Sequence, residues 1–484
     1  MMSSKKPGLL YTTTMCLLLL GTCALSVTPF TYADPDTLVL LHPHSADFAN
    51  FVIGDFQAWY QEEYGTSITV QQLTMSSGAC YTQVKDWNGD PEADVMWGGG
   101  EYYFMSMARK ELLEGYTVSV DAEIIDEYGG WPFKDPTGES TWYAAALSTF
   151  GIMWNEDYLE ANDLTPPQTW EDLTKPEYFG HIVMCDPAKS GSTTATVIMV
   201  IQHFIDEAGW EQNATAWLSA WKYWAKVAGN VGLFVESSHS VPQKVVLGEY
   251  GIGITIDYYA WEQQIAGESV ALNNGGATTV STDPAGILKG APHLTEAQRW
   301  MDYLTSQRGQ TAVGSGRMPM REDASATAPV LSAWLHATQV PIIETYDRDV
   351  HNAMYSVTRE MFSYWLVTNH EAVKSALSKM NECAELGLED YEDYISAVDH
   401  YTMVPEASDS LTKALAVDTE EEAAGWETWG STHFDSAGTS ARAAISEYEQ
   451  RTVQKAQQRQ YTYIGAGVAI VAIIALLYFY TSRR

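Results

Sequence analysis

Apolar positions near the start of the chain alternate between short continuous runs and helical spacing. Residues 38–41 form a continuous apolar run that is typical of a buried strand, and large apolar side chains at 48–59 then recur at helical spacing. Further apolar runs at 68–70 and 94–97 predict a second and a third strand, each reached through a helix. Strands that alternate with helices predict a parallel sheet, and ligands bind beyond the carboxyl ends of such strands.

Polar loops follow each of these strands, and we expect them to meet at one edge of the sheet. They are His44-Ser45, Ser76-Ser77 and the triple glycine at 98–100. Backbone N–H groups of the triple glycine are suited to cradle an anion, although three glycines also suit a tight turn. His42 and His44 flank a proline, which leaves two interpretations open: metal ligands or ordinary polar groups of a loop.

A second set of alternating elements begins at residues 142–152, which we interpret as a strand crossing into another lobe. The run 182–184 predicts a buried strand, and the stretch SGST at 190–193 opens the helical pattern that follows it. Hydroxyl side chains at a helix start satisfy backbone N–H groups, and the first turn of a helix is a natural seat for an anion. The alternative is a capped helix without any ligand. Another strand is predicted at 251–256.

The chain returns near residues 281–287, so that two strand-like crossings join two lobes. We therefore predict an α/β clam-shell with two hinge strands that closes around a ligand. Beyond it we expect a C-terminal helical extension, an acidic stalk and one transmembrane helix. The predicted boundaries are 1–33 for a leader, 34–146 and 283–345 for lobe 1, 147–282 for lobe 2, 346–404 for the C-terminal helices, 405–460 for the stalk and 461–480 for the anchor.

Both ends of the chain carry apolar segments. Lys5 and Lys6 precede an apolar run and then small residues, which is typical of a secretory signal peptide cleaved near Ala33; an uncleaved anchor is the alternative. Residues 461–480 carry no charge and are long enough to cross a bilayer, with a buried core helix as the alternative. We expect a single-pass protein of the cell membrane, with its bulk extracellular and a short cytoplasmic C-terminus.

The formal net charge of −35 argues against nucleic acid and anionic membrane surfaces as partners. It suits either a cationic ligand or a solvated acidic surface. Cys80, Cys185 and Cys383 remain beyond the leader, and an odd number implies no simple disulfide framework. A Cys80–Cys185 bridge and three core side chains are both compatible with this count. The sequence contains no nucleophile elbow, zinc-protease helix, redox dithiol or P-loop, so we expect neither an enzyme nor a resident cofactor.

Four stretches resemble a known family in order and spacing. They are ADVMWGGG at 93–100, the strand and helix start within 170–200, VVLGEYGIGITIDYY at 245–259 and STDPAGILKGAP at 281–292. They resemble the extracellular solute-binding proteins of ABC importers, which have the type 2 periplasmic-binding-protein-like fold, in the iron-type and polyamine/phosphonate branch. The resemblance covers roughly residues 36–345. It implies a monomeric receptor that passes a small-molecule or metal ligand to an ABC permease in the membrane.

The resemblance also indicates which residues contact the ligand. In iron-binding members two adjacent tyrosines at the end of the corresponding strand ligate Fe(III), and Tyr258 and Tyr259 match that position. Asp257 stands where those members usually carry Asn, and a carboxylate beside aromatic faces would suit an organic cation instead. The predicted ligand-binding residues are His44, Ser76, Ser77, Trp97, Gly98, Gly99, Ser190, Gly191, Ser192, Thr193, Ser237, Asp257, Tyr258 and Tyr259, with the two tyrosines as metal ligands.

The identity of the ligand stays open at this point. Fe(III) or a ferric complex, carried as cargo, is one candidate. A polyamine, a phosphonate or a similar organic cation or zwitterion is the alternative. Two further classes of protein remain as rivals: a cell-surface adhesion or sensor protein that kept the clam-shell, and a secreted enzyme on the same fold.

Overall fold

The computed structural model describes residues 36–128, 131–209, 213–321, 323–324, 343, 346–405 and 419–481. The predicted leader at 1–33 lies outside these residues, as do most of 322–345 and the part of the predicted stalk at 406–418.

The described residues form these thirteen strands and fourteen α-helices. The strands are β1 (Asp36–His42), β2 (Ile68–Thr74), β3 (Val95–Trp97), β4 (Leu113–Glu114), β5 (Glu127–Tyr128), β6 (Trp131–Pro132), β7 (Tyr143–Ser148), β8 (Phe150–Asn155), β9 (Ile182–Cys185), β10 (Val231–Val235), β11 (Ile252–Ile256), β12 (Val270–Asn273) and β13 (Ser281–Leu288). The helices are α1 (Ala46–Tyr64), α2 (Ser77–Trp87), α3 (Glu101–Arg109), α4 (Glu156–Ala161), α5 (Gly191–Ala208), α6 (Asn213–Asn230), α7 (Ser240–Val246), α8 (Asp257–Ala266), α9 (Leu294–Thr305), α10 (Gln307–Val313), α11 (Arg348–Phe362), α12 (His370–Glu385), α13 (Glu392–Tyr401) and α14 (Thr419–Thr481).

The first sheet has the strand order β2-β1-β3-β13-β4, with β7 paired to β13. The parallel pairing that the alternation predicted is confirmed, because β1 runs parallel to both β2 and β3. In β1 the five residues from Leu38 to His42 are buried, as expected for a central strand covered on both faces. The later strand β13 enters this sheet antiparallel to β3.

The second sheet has the strand order β10-β9-β11-β8-β12. Strands β10, β9 and β11 are mutually parallel, whereas β8 runs antiparallel to β11 and to β12. All residues of β8, β9 and β11 are buried, which explains their continuous apolar sequences.

Two crossings connect the sheets, and they lie side by side. Strand β7 belongs to the first sheet and is followed at once by β8 in the second, with Thr149 between them. On the return, β13 pairs antiparallel with β7, bringing Ser281 opposite Ser148. The predicted two-lobed α/β clam-shell with two hinge strands is therefore confirmed.

A C-terminal helical extension packs on the second lobe. Trp221 and Trp224 of α6 are fully buried and contact the extension, with ring centroids 6.1 Å from Trp365 and 5.6 Å from Phe362. The Tyr401 hydroxyl donates to the backbone carbonyl of Ala225 in α6, at 2.8 Å. The extension thus shares one core with the lobe.

Helix α14 covers most of the predicted stalk and the predicted anchor. Its first part is packed rather than free-standing, because Trp426, Phe434, Ala437, Ala441 and Ala444 are buried against the preceding helices. The side chains of the predicted anchor at 461–480 are outside the described set. Within the part that was described, no helix combines the length and the apolar character needed to cross a bilayer.

Candidate functional site

A cleft of about 770 Å³, including its mouth, lies where the carboxyl ends of the parallel strands of both lobes face each other. Nine of the residues predicted from the sequence line it: Ser76, Ser77, Gly99, Ser190, Gly191, Ser192, Ser237, Tyr258 and Tyr259. The other five do not line it: His44, Trp97, Gly98, Thr193 and Asp257. Loops that are distant in sequence thus converge on one cleft, and its contacts with a ligand stay predictions.

The start of α5 is the most polar wall of the cleft. Ser190 accepts a hydrogen bond from the backbone N–H of Thr193, at 3.2 Å, and so caps the helix. The Ser190 and Ser192 hydroxyls lie 3.1 Å apart. The N–H groups of Gly191 and Ser192 are the first two of the helix and have no acceptor within it. Together with the helix dipole, these donors favour a negatively charged group in the cleft.

The opposite wall begins with another helix start, that of α2. Ser76 precedes α2 and Ser77 is its first residue, and both line the cleft. The Ser76 side chain makes no capping hydrogen bond, so its hydroxyl and the first N–H groups of α2 are oriented by the backbone alone. Two helix N-termini of opposite lobes therefore face one space, and both favour an anion there.

The N–H groups of the triple glycine bind groups of the protein itself. Asp283, which the sequence did not mark, accepts hydrogen bonds from the N–H groups of Gly99 and Gly100, at 2.6 and 3.2 Å. The N–H of Gly98 donates to the carbonyl of Pro284, at 2.7 Å. Glycine is required at 98 because φ is +89° and a side chain would lie 2.5 Å from the His44 ring. A carboxylate of the protein itself fills the predicted anion cradle.

Asp257 lies at the carboxyl end of β11, as predicted, but its carboxylate faces the protein interior. It is fully buried and accepts hydrogen bonds from the Thr149 N–H, the Thr149 hydroxyl and the Tyr258 N–H, at 2.6, 2.8 and 2.7 Å. Burial raises its pKa to about 7. Asp257 therefore connects the first crossing to the start of α8, and its side chain does not line the cleft.

The two tyrosines after Asp257 do line the cleft and contact each other, with ring centroids 4.5 Å apart. The Tyr259 hydroxyl lies 2.9 Å from His239 Nδ1. The guanidinium of buried Arg317 lies 3.4 Å from the centroid of the Tyr258 ring and 3.5 Å from the carboxylate of Glu262. Burial raises the pKa of both phenols, to about 12 for Tyr259, so both are neutral at neutral pH.

His44 and Trp97 lie behind the cleft, in the core of the first lobe. Their ring centroids are 4.2 Å apart, and the His42 ring stacks on His44 at 5.6 Å. Burial lowers the pKa of His42 to about 4 and that of His44 well below its usual value. Both imidazoles are therefore neutral core groups, and His44 contributes no side chain to the cleft.

Several residues of the cleft were missed from the sequence. Ser148 and Thr282 lie on the two crossing strands, and their hydroxyls are buried without a hydrogen-bond partner among the described residues. Glu101 opens α3, and Tyr355 comes from the C-terminal extension. No local motif marks these positions, because each is brought to the cleft by pairing between distant parts of the chain.

The cysteines contribute nothing to the cleft. Cys80, Cys185 and Cys383 are buried and free. Burial raises the pKa of Cys80 and Cys185 to about 12, so both are neutral thiols. They behave as small core side chains. The described residues also contain one group of potential metal ligands, Glu171, His203 and Glu207, which does not line the cleft.

Comparison with known proteins gives the following relationships. Residues 90–334, half of the chain, match the family described as bacterial extracellular solute-binding protein. The chain is 27% identical over 184 residues to the phosphoglycerate transport regulatory protein PgtC of Salmonella typhimurium, which is 37% of this chain and 43% of that relative. The alignment therefore spans less than half of the relative's length.

Solved structures show the same fold. The periplasmic binding protein AfuA from Actinobacillus pleuropneumoniae, with exogenous fructose-6-phosphate bound, superposes with a TM-score of 0.56 at 20% identity, over 68% of this chain and 98% of that one. The apo ferric ion-binding protein A of Pasteurella haemolytica gives 0.51 at 15% identity, over 68% and 97%. At these identities the likeness shows the fold and does not identify the ligand.

Proposed function

The chain belongs to the family of bacterial extracellular solute-binding proteins, and from this premise we propose that it captures a small solute carrying a phosphate or phosphonate group and delivers it to an ABC permease. The observation that carries the proposal is the start of α5, where Ser190, Gly191 and Ser192 line the cleft. An N-terminus with free first-turn N–H groups and hydroxyl neighbours is a general way to bind a phosphate.

A second helix start and two cations around the cleft support an anionic ligand, whereas the carboxylates of Glu101 and Asp283, which also line it, do not. The start of α2 faces the same space from the other lobe. Lys189 also lines the cleft, and its half-exposed side chain makes a long ion pair of 3.9 Å with the exposed Glu236. Arg317 adds a buried positive charge beneath Tyr258. PgtC is named a phosphoglycerate transport regulatory protein, and the AfuA structure holds exogenous fructose-6-phosphate; both solutes belong to the proposed chemical class.

Fe(III) is the second candidate, and the adjacent Tyr258 and Tyr259 side chains in the cleft favour it. Hard phenolate oxygens suit a trivalent ion, and an anion at the start of α5 would complete its coordination sphere. Binding would have to remove both phenolic protons against the burial that raises their pKa. We rank iron second for that reason.

The remaining features of the chain keep their predicted roles in this proposal. We keep lobe 1 at 34–146 and 283–345 and lobe 2 at 147–282, and the change of sheet between β7 and β8 supports this division. The leader at 1–33 would export the chain, and the anchor at 461–480 would hold it on the cell surface, beside the permease. The receptor would act as a monomer without catalysis.

Isothermal titration of the full chain tests the ligand class. The panel is fructose 6-phosphate, 3-phosphoglycerate, 2-aminoethylphosphonate, ferric citrate and spermidine. We expect heat from at least one phosphorylated or phosphonate solute. Heat from ferric citrate alone, with a red phenolate-to-iron absorption that Tyr258→Phe removes, would establish the second candidate instead. No heat from any of the five would contradict both.

A matched pair of substitutions tests whether the start of α5 binds the phosphate. Ser192→Asp places a carboxylate among the first-turn N–H groups of α5, and we expect a loss of affinity for the phosphorylated solute of about tenfold or more, because like charges then meet in the cleft. Ser219→Asp makes the same change on the exposed face of α6 and should leave affinity within about twofold. Equal affinities of the two variants would refute phosphate binding at the start of α5.

A further inference from the structure

Helix α11 of the C-terminal extension reaches the cleft, although it lies outside the part of the chain that matches the family. The family match ends at 334, and α11 begins at Arg348. His351 and Tyr355, one turn apart on α11, both line the cleft. The cleft wall therefore includes side chains that the two lobes alone do not supply.

Tyr355 contacts both lobes. Its ring stacks on Tyr102 of the first lobe, with centroids 3.9 Å apart and planes inclined by 12°. Its hydroxyl donates to the Tyr103 hydroxyl at 3.3 Å. On the other side, a Cβ placed on Gly191 of the second lobe would lie 3.1 Å from the Tyr355 hydroxyl. Tyr355 thus fills the space between the starts of α3 and α5.

The helix itself is fastened to the second lobe. Asp347, just before α11, exchanges two backbone hydrogen bonds with the Gln202 side chain, at 2.9 and 2.7 Å. Arg359 donates to the carbonyl of Ala188, at 3.1 Å, on the loop that leads to α5. The extension is therefore attached to the second lobe, and the stacking of Tyr355 on Tyr102 joins it to the first lobe.

Glu101, the first residue of α3, is the least satisfied polar group of the cleft. Its side chain lines the cleft and is only 1% exposed, and both carboxylate oxygens lack a hydrogen-bond partner among the described residues. An unpaired buried carboxylate is costly, and such a group in a native protein calls for a partner such as a water, an ion or a bound ligand. The positive charges of Arg348 and Arg109 act on it from the protein side, so the ligand need supply hydrogen-bond donors rather than a cation.

We propose that Glu101, His351 and Tyr355 form a hydroxyl-reading subsite that is completed by the C-terminal extension. The inference rests on the proposed function: the phosphate of the solute occupies the start of α5, and a hydroxyl of the same solute donates to Glu101. His351, whose ring lies 5.3 Å from that of Trp131, forms the wall beside it. The extension then contributes to ligand specificity and stabilises the closed state, in addition to supporting the second lobe.

Titration of the full-length chain and its variants with three probes tests this subsite. The probes are inorganic phosphate, fructose 6-phosphate and 2-aminoethylphosphonate. At pH 8.5 Glu101, whose pKa burial raises to about 7, is ionised. For Glu101→Gln at this pH we expect fructose 6-phosphate to bind about tenfold more weakly or worse, because a charge-assisted hydrogen bond is lost, and inorganic phosphate to bind within about twofold of wild type. A larger loss for 2-aminoethylphosphonate than for the sugar phosphate would show that the subsite reads an ammonium group and would overturn the proposal.

The contribution of the extension is tested separately. Tyr355→Ala should weaken fructose 6-phosphate binding by about tenfold and speed its dissociation, whereas Ser356→Ala, on the exposed face of the same helix, should change neither. Tyr355→Phe keeps the ring and therefore the fold, and should lose affinity by about threefold through the hydroxyl alone. Wild-type affinity in Glu101→Gln and Tyr355→Phe would refute the subsite while leaving the proposed function intact. Wild-type protein that binds none of the three probes would refute the proposed function itself.

Discussion

Replacing Asp257 with alanine tests whether this residue contacts the ligand or only stabilises the fold. The substitution removes the acceptor of two backbone N–H groups and one hydroxyl, in a position with no exposure to solvent. Thr149 keeps a hydrogen bond from Asn274 to its hydroxyl, so the cost comes mainly from the two N–H groups. An unpaired buried N–H costs roughly 1–3 kcal/mol, which gives about 2–6 kcal/mol for the two groups.

The loss of stability in Asp257→Ala also depends on pH, and the raised pKa of Asp257 determines whether it grows or shrinks as pH rises. An acid whose pKa is about 7 in the folded protein and 3.8 when unfolded stabilises the fold fully below pH 3.8, and this stability is lost as pH rises toward 7. Each pKa unit corresponds to about 1.4 kcal/mol. Between pH 5 and pH 8 the wild type should therefore lose about 2–3 kcal/mol that Asp257→Ala does not lose. The destabilisation is expected to be larger at pH 5.

Equilibrium urea denaturation of the full chain, followed by tryptophan fluorescence at pH 5 and pH 8, measures both quantities. Asp399→Ala, an exposed position on α13, is the matched control and should change the free energy of unfolding by less than about 0.5 kcal/mol. Solute affinity of the folded Asp257→Ala protein should stay close to wild type. A variant of normal stability that has lost its affinity would show that Asp257 is a ligand contact after all.

Three further outcomes follow from other parts of the structure. Burial raises the pKa of Glu101 to about 7, so the wild type should lose about 3 kcal/mol of unfolding free energy between pH 4.5 and pH 8.5, and Glu101→Gln should not lose it. Urea midpoints across this pH range measure the difference. Trp365→Ala should cost about 3–5 kcal/mol in the same assay, because this buried side chain joins α6 to α14 through Trp221 and Phe434. Gly229→Val should separate α6 from α12 and α13, where a Cβ would meet atoms at 2.4 Å, and should lower the melting temperature measured by circular dichroism.

Several strands could be predicted from the sequence because their apolar runs are local signals. Residues 38–41 and 182–184 fall within observed buried strands, and the run predicted at 251–256 is a buried strand from Ile252 onward. The convergence of the strand-end loops followed from a general property of parallel sheets rather than from any motif. The predicted cap at Ser190 is also local, and the structure shows it.

The parts of the site that depend on distant partners could not be predicted in this way. Gly99 and Asp283 are 184 residues apart, and nothing in either loop signals that one occupies the donors of the other. Tyr103 and Tyr355 are 252 residues apart and meet only because the extension folds back over α5. Asp257 has the residue type and position of a ligand contact, and its orientation is decided by the N–H of Thr149, which lies between β7 and β8 and is 108 residues away in sequence.

The strongly acidic composition of the chain is compatible with the anionic ligand that we propose. A formal charge of −35 on its own suits a cation. Surface carboxylates, however, are screened over about 8 Å at physiological ionic strength, whereas a helix dipole acts within its first turn. The donors at the starts of α2 and α5 lie at the cleft itself, where Ser76 and Ser192 are lining residues. An acidic exterior is therefore compatible with the anion site that we propose, because surface charges and helix dipoles act over different distances.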